Sequence, residues 1–327
     1  MTSSRRFRGL ALTISIPLVV GLTAGCGSAT KQESGFPKKG KAVTLVVPFA
    51  PGGLTDLAGR LLGPALEDQL GTPVEILNKP GASSQIGLTA LAQARPDGYT
   101  LGYTLLPTTP SAYLDPARKA AFTRDSFKPV ANHFVIPVVA VVSKDSQIKD
   151  LKGLMAEAKA KPRQVKAGTG ALGGPADMGR VLTEKTGQVE FANVQFDGGG
   201  PAMVALLGGH TDVTFGTIPE VLQYVKSGQV RAIGVMAESE TDLLPGAPTF
   251  KAQGMDLVML SEGVLSVPAD TPPAVAARLQ SAIDSALKAE GILQKSHDLG
   301  VINQFMTGDE AAKRWTVSEE IYAKVTG

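Results

Sequence analysis

One cysteine and three histidines are all that this chain of 327 residues holds of the side chains most used for nucleophilic and metal chemistry. Cys26 precedes every segment that reads as folded, so neither a disulfide nor a thiolate metal site can support the fold. His133, His210 and His297 are far apart, none at metal-ligand spacing, and each reads as a surface or half-buried histidine. There is no G-x-S-x-G, and no carboxylate pair stands out for glycoside chemistry. A basic field is missing too. The chain has 32 Lys and Arg against 30 Asp and Glu, but Arg5, Arg6 and Arg8 sit in a leader without acids. The remainder is nearly neutral, which leaves nothing to attract nucleic acid or an anionic membrane surface. The expectation is a protein without catalytic residues, metal or cofactor.

The apolar stretch Gly9–Val20 is too short, and too interrupted by Pro17 and small polar residues, to span a membrane. With three arginines before it and Leu22-Thr23-Ala24-Gly25-Cys26 after it, residues 1–25 read as an export signal. Cys26 resembles the cysteine at which bacterial lipoproteins are cut and acylated. The alternative is plain secretion with Cys26 as an incidental thiol. Residues 26–40, rich in Gly, Ser, Lys and Pro, would then be a flexible tether. The expected location is the outer face of the cytoplasmic membrane, held by lipid.

Glycine is abundant, with 37 residues, and it is placed with purpose. Four times an apolar strand-like run breaks into glycines and restarts as a helix: Pro51–Asp56, Pro80–Ser84, Gly168–Gly174 and Asp197–Gly200. Such a turn aims unpaired backbone N–H groups and a positive helix end at one point. That point binds a carboxylate or phosphate without lysine or arginine.

Short β-branched runs alternate with helical patterns from Val43 onward, which argues for parallel, doubly wound sheets. Expected strands are Val43–Phe49, Val74–Leu77 and Tyr99–Leu105, then Gln164–Ala167, Val189–Gln195, Asp212–Phe215 and Val230–Met236. The first helix carries Leu57, Leu61, Ala65 and Leu66 at helical spacing and should kink at Gly63-Pro64. Pro107–Arg124 reads as irregular. Two extended stretches, Val130–Ser143 interrupted at Pro137 and Leu257–Val267, bracket the second alternating block. The fold class expected is therefore α/β, two doubly wound domains joined by paired extended linkers. The boundaries fall at 41–137 plus 262–327 for one domain and 138–261 for the other, with a cleft and hinge between them.

Asp56 and Asp177 fall in the first turn of helices, where each interacts favourably with the helix dipole. Asp56 could instead meet a donor on a ligand. Thr55, Ser83, Ser84, Thr169 and Thr217 are short hydroxyls at helix starts, able to cap the helix, bond a ligand oxygen, or both. Gly168-Thr169-Gly170-Ala171-Leu172-Gly173 also matches the dinucleotide G-x-G-x-x-G, with Glu190 near the position of a ribose-binding acid. An NAD(P)-dependent oxidoreductase is thus the rival reading. Against it, an exported protein has no nicotinamide supply, and no His/Asp or Tyr/Lys pair follows.

Val47-Pro48-Phe49-Ala50-Pro51-Gly52-Gly53-Leu54-Thr55-Asp56 resembles the opening stretch of the Bug/TctC-type solute-binding proteins of tripartite tricarboxylate transporters. Four more matches follow in the family's order: Asn78–Ala82, Pro96–Leu101, Gly198–Ala202 and Pro248-Thr249. The resemblance implies a Venus-flytrap receptor that holds a small di- or tricarboxylate between its lobes and delivers it to membrane permease subunits. The site it implies comprises Gly52, Gly53, Leu54, Thr55 and Asp56, with Ser83 and Ser84 beside them, and Thr169, Gly173, Gly174 and Asp177 in the second lobe. Gly198, Gly199 and Thr217 join them from the remaining glycine turn and strand end. Departures occur at Gly174-Pro175-Ala176-Asp177, where a Ser and a His are usual, and at Phe215-Gly216-Thr217, where Phe-Asp-Asn is usual. A ligand-sensing partner of a membrane kinase would use the same cleft.

Overall fold

The computed structural model describes residues 35–326; the leader 1–25, Cys26 and the start of the tether lie outside the described residues. The first lobe opens with β1 (Val43–Val47), α1 (Leu54–Leu70), β2 (Val74–Asn78), α2 (Gln85–Ala92), β3 (Thr100–Leu106) and α3 (Thr108–Leu114). A long strand, β4 (Phe127–Ser143), leads to α4 (Leu151–Ala160), β5 (Lys166–Thr169), α5 (Pro175–Gly187) and β6 (Ala192–Gln195). The second lobe continues through α6 (Gly199–Leu207), β7 (Val213–Thr217), α7 (Ile218–Lys226) and β8 (Val230–Val235). The chain returns along β9 (Leu260–Pro268) to α8 (Pro273–Leu287), α9 (Ile292–Asp298), β10 (Asn303–Thr307) and α10 (Gly308–Thr326).

Each lobe has a parallel trio, β2-β1-β3 in the first and β6-β5-β7 in the second. The sheets are mixed rather than wholly parallel, because β9, β4, β10 and β8 join them antiparallel. The stretch expected to break at Pro137 is one continuous strand that changes sheet there. Pro137 pairs with Leu260 of β9, and the next residue, Val138, pairs with Thr217 of β7. A residue without an N–H fits the point where one ladder is exchanged for another.

Helix α1 runs through Gly63-Pro64 unbroken, and its fully buried stripe is Ala58, Leu62 and Leu66; of the expected face Leu66 is fully buried, while Leu57, Leu61 and Ala65 are half-buried beside it. These pack with Leu45 and Leu101 of the sheet and with Leu279 and Ile283 of α8. Helix α3 occupies a segment expected to be irregular. Its Pro110 falls in the first turn, where a missing N–H costs nothing.

His133 corrects the expectation of a surface or half-buried histidine, since it is fully buried. Its Nδ1 lies 2.7 Å from the Tyr103 hydroxyl and its Nε2 3.2 Å from Asn303 Oδ1, an acceptor, so the neutral Nε2–H tautomer fits. Burial lowers its pKa from 6.5 to about 4, against the smaller raising effect of Asn303. Between those values the unfolded chain binds a proton that the folded chain does not, so stability is full above pH 6.5 and falls toward pH 4. The expected loss from this group is about 2 kcal/mol by pH 5. Urea unfolding of wild type and His133→Gln at about pH 7 and about pH 5 measures it; parallel profiles would remove His133 as the cause.

Candidate functional site

The first and third glycine turns are built alike. Gly53 caps α1 with φ −82° and ψ 172°, and Gly174 caps α5 with φ −80° and ψ 173°. Each follows a glycine at positive φ, Gly52 at +86° and Gly173 at +67°, where a side chain would strain the backbone. The capping glycines offer no side-chain acceptor. The first bonds within the helices are Leu57 N–H to Gly53 O and Met178 N–H to Gly174 O. The N–H groups of Leu54, Thr55 and Asp56, and of Ala176 and Asp177, therefore have no acceptor inside their helices.

The two aspartates hold these turns together. Asp56 Oδ2 accepts from the Gly52 N–H at 2.8 Å and from Arg60 Nε at 2.9 Å, while Asn78 Nδ2 donates to Oδ1 at 3.0 Å. Burial raises the Asp56 pKa, but the hydrogen bonds from Arg60, Gly52 and Asn78 outweigh it and hold the pKa below the ordinary value. Asp177 Oδ2 accepts from the Gly173 N–H at 3.0 Å, and Arg180 Nη2 donates to Oδ1 at 2.9 Å. Gly-Gly-x-x-Asp thus opens one helix in each lobe, at Gly52–Asp56 and Gly173–Asp177; a third copy, Gly208–Asp212, follows α6 and opens no helix. A search for long repeats passes over so short a pattern.

A cavity of about 490 Å³ lies between these turns. Of the expected site residues, Gly52, Gly53, Leu54, Thr55, Gly174, Gly198, Gly199 and Thr217 line it. Asp56, Ser83, Ser84, Thr169, Gly173 and Asp177 do not, each for a visible reason. The two aspartates are turned back onto their glycines. Thr169 is buried, with its hydroxyl 3.3 Å from Asn193 Oδ1. Gly173 lies against Ser111 and Arg118 of the first lobe. The Ser83 carbonyl accepts from Arg118 Nη2 at 3.1 Å, and Ser84 is a buried left-handed residue at the start of α2. Arg118 also points Nη1 at the Leu172 carbonyl at 3.5 Å, joining the two lobes beside the cavity.

The third lining turn is different. Gly199 opens α6, and a Cβ there would collide with the carboxyl of Glu220. Glu220 Oε2 accepts from the Thr217 N–H at 2.7 Å, as an acid in the first turn of α7 can. Burial raises the Glu220 pKa, opposed by hydrogen bonds from the Thr217 N–H, the Thr217 hydroxyl and the Gly199 N–H. The Thr217 hydroxyl is itself buried and closes a capping box with Glu220. Thr108, Asp197, Gln223, Tyr224 and Ser261 complete the polar lining. Glu220 was not among the expected residues, although Thr217-Ile218-Pro219-Glu220 carries the T-x-x-E signal that places it.

A shallower hollow of about 600 Å³ is lined by Pro137, Asp242, Leu260, His297 and Asn303 among others, and contains none of the four glycine turns. The dinucleotide reading loses its acid: Glu190 precedes β6 and pairs with Arg163 at the surface. The Gln195 amide occupies the turn instead, donating to the Gly170 carbonyl. Among the described residues no cluster of His, Cys, Asp or Glu could hold a metal.

Residues 59–319 match the sequence profile described as TctC, tripartite tricarboxylate transporter family receptor. Protein BugT of Bordetella pertussis is 28% identical over 318 residues, covering 93% of each chain. A solved periplasmic transporter shares 28% identity and a TM-score of 0.81, over 89% of this chain and 98% of that one. MatC from Rhodopseudomonas palustris, solved with bound malate, shares 28% identity and a TM-score of 0.80, over 89% and 100%.

Proposed function

We propose, from the premise that the chain belongs to the tripartite tricarboxylate transporter receptor family, that its cavity holds one carboxylate of a small organic acid on the N–H groups opening α1 and α5. The protein is an extracytoplasmic carboxylate-binding receptor, not an enzyme. One observation carries the placement of the ligand. Two equivalent helix starts, each capped by a bare glycine, meet in a single cavity whose described lining has no basic side chain. Neutral donors of this kind stabilise an anion without a counter-charge. Gly53, Leu54, Thr55 and Gly174 are the proposed head-group contacts, with the Thr217 hydroxyl toward the far end. Malate in MatC supports a ligand of the di- or tricarboxylate class, hydroxylated members included.

The same proposal includes lipid attachment at Cys26 and delivery of the ligand to membrane permease subunits. It divides the chain at 41–137 plus 262–327 and 138–261. The change of sheet between Pro137 and Val138 supports that division. Closure around the ligand gives the permease a shape to distinguish from the empty form.

A panel of mono-, di- and tricarboxylates, added singly, should raise the melting temperature for the ligand class that fits. At a hundredfold excess over Kd the gain is about 2.7 kcal/mol, several degrees for a protein of this size. Mass spectrometry of protein purified from its native membrane reads both a retained acid and an acyl group at Cys26. No shift with any carboxylate, beside a clear shift with NADH, would overturn the receptor reading.

A further inference from the structure

We propose that Arg118 is a positioning residue, a latch from the first lobe onto the Leu172 carbonyl of the second, which holds the cleft closed and sets how long a ligand stays. The inference rests on the carboxylate reading above and goes beyond it, since Arg118 lies outside the cavity lining.

The arm of the latch is fixed within its own lobe. Arg118 ends the turn Pro116–Arg118, and its Nη2 donates to the Ser83 carbonyl at 3.1 Å. Its Nη1 donates to Ser111 Oγ at 3.1 Å, and that hydroxyl gives its own proton to the Thr108 carbonyl at 2.8 Å. The Ser111 oxygen is thereby left to accept from the guanidinium. A planar fork held at two points needs little further ordering to reach a third. Burial lowers the Arg118 pKa, opposed by Asp115 and Tyr322, so the guanidinium is partly stripped of water.

The seat of the latch is the third glycine turn. Nη1 reaches the Leu172 carbonyl at 3.5 Å, the long limit of a hydrogen bond, so a small further approach of the lobes strengthens it. A Cβ on the next residue, Gly173, would collide with Ser111 Oγ and stand 3.3 Å from Arg118 Nη1. The backbone of one lobe thus meets side chains of the other with no room between them. The same turn serves the ligand, because Gly174 lines the cavity, as does Thr108 on the opposite side. A head group that draws this turn toward α1 also draws Leu172 toward Arg118, so the two contacts favour each other and part together. A direct counter-charge is the other use of an arginine beside an anion cavity. The latch is favoured because both terminal nitrogens are committed to neutral oxygens of the protein.

Release rates separate the two uses. Malate, succinate, adipate and citrate, with the half-amides of succinate and adipate, are followed by stopped-flow fluorescence, Tyr224 of the lining being the reporter. Wild type is compared with Arg118→Met and Arg118→Lys, beside a ligand-free thermal melt. Both variants should release every acid that binds about tenfold faster, with association rates within about twofold of wild type. The lysine keeps the charge but has no fork, so it should not rescue. Equal acceleration for a diacid and its half-amide marks a latch that never touches the ligand. A clearly greater effect on the diacid would make Arg118 a counter-charge and overturn the proposal. So would release within about twofold of wild type in a folded Arg118→Met, or wild-type release in Arg118→Lys, which carries the test alone should the methionine variant not fold. Failure of every acid to bind wild type removes the receptor reading and the latch with it, whereas binding with unchanged release removes only the latch.

Discussion

Gly53→Val should lower carboxylate affinity by about a hundredfold while leaving a folded protein. The backbone at Gly53, φ −82° and ψ 172°, is open to any residue, and a Cβ there meets only the Ala50 carbonyl at 3.8 Å. The fold can therefore accept the side chain, at about 1 kcal/mol for a poorer cap. The cavity cannot. Branched methyls at this lining position stand in front of the Leu54 and Thr55 N–H groups, where the head group is proposed to rest. Losing two hydrogen bonds to a charged acceptor costs about 3 kcal/mol, which is about a hundredfold in Kd. The other glycines of these turns are poorer probes. Gly52 needs its positive φ, and a Cβ on Gly174 would press on the Ala171 carbonyl at 2.8 Å. Calorimetry beside a thermal melt decides the matter: affinity within threefold of wild type would place the head group away from α1.

Most of the fold was legible in the sequence, because alternating apolar runs and glycine turns are local signals that tertiary packing did not override. The strands expected at Val74–Leu77 and Tyr99–Leu105 lie at Val74–Asn78 and Thr100–Leu106, and most other elements likewise differ by a few residues at their ends. The misses have physical reasons. Pro110 reads as a breaker until its place in the first turn of α3 is known, and α9 and β10 are short elements among polar residues. Burial of His133 depends on Tyr103 and Asn303, which approach it from distant parts of the chain.

The site was legible by halves. The glycine turns announce where N–H groups converge, and eight of the expected residues do line one cavity. The direction in which an acid beside such a turn will point is not a local property. Asp56 and Asp177 turn back because an arginine one helical turn on, at Arg60 and Arg180, offers each a partner. Glu220 has no such arginine and stays with the N–H groups at the start of α7. Spacing to a cation, rather than nearness to the turn, separates the acids turned back onto the scaffold from the one that lines the cavity.

That distinction carries an unequal expectation for the paired aspartates. Asp177→Ala should destabilise the protein by about 3 to 5 kcal/mol, and Asp56→Ala by clearly less. Removing either carboxylate deprives a glycine N–H of its acceptor, at Gly173 or Gly52. The difference lies in the arginine left behind. The Arg60 side chain is 53% exposed, so water can replace Asp56 around its guanidinium. The Arg180 side chain is 11% exposed, and its Nε already has no partner. Without Asp177 it keeps only Glu184, and the lost hydrogen bond is not restored by solvent. Urea unfolding of both variants with unchanged m-values gives the two numbers on one scale. Equal losses would mean that burial of the arginine is not what ties the second turn to its helix. A larger loss in Asp177→Ala, with ligand affinity falling as Gly174 loses its support, would show that this acid near an anion site holds the amides in place and leaves the anion to them.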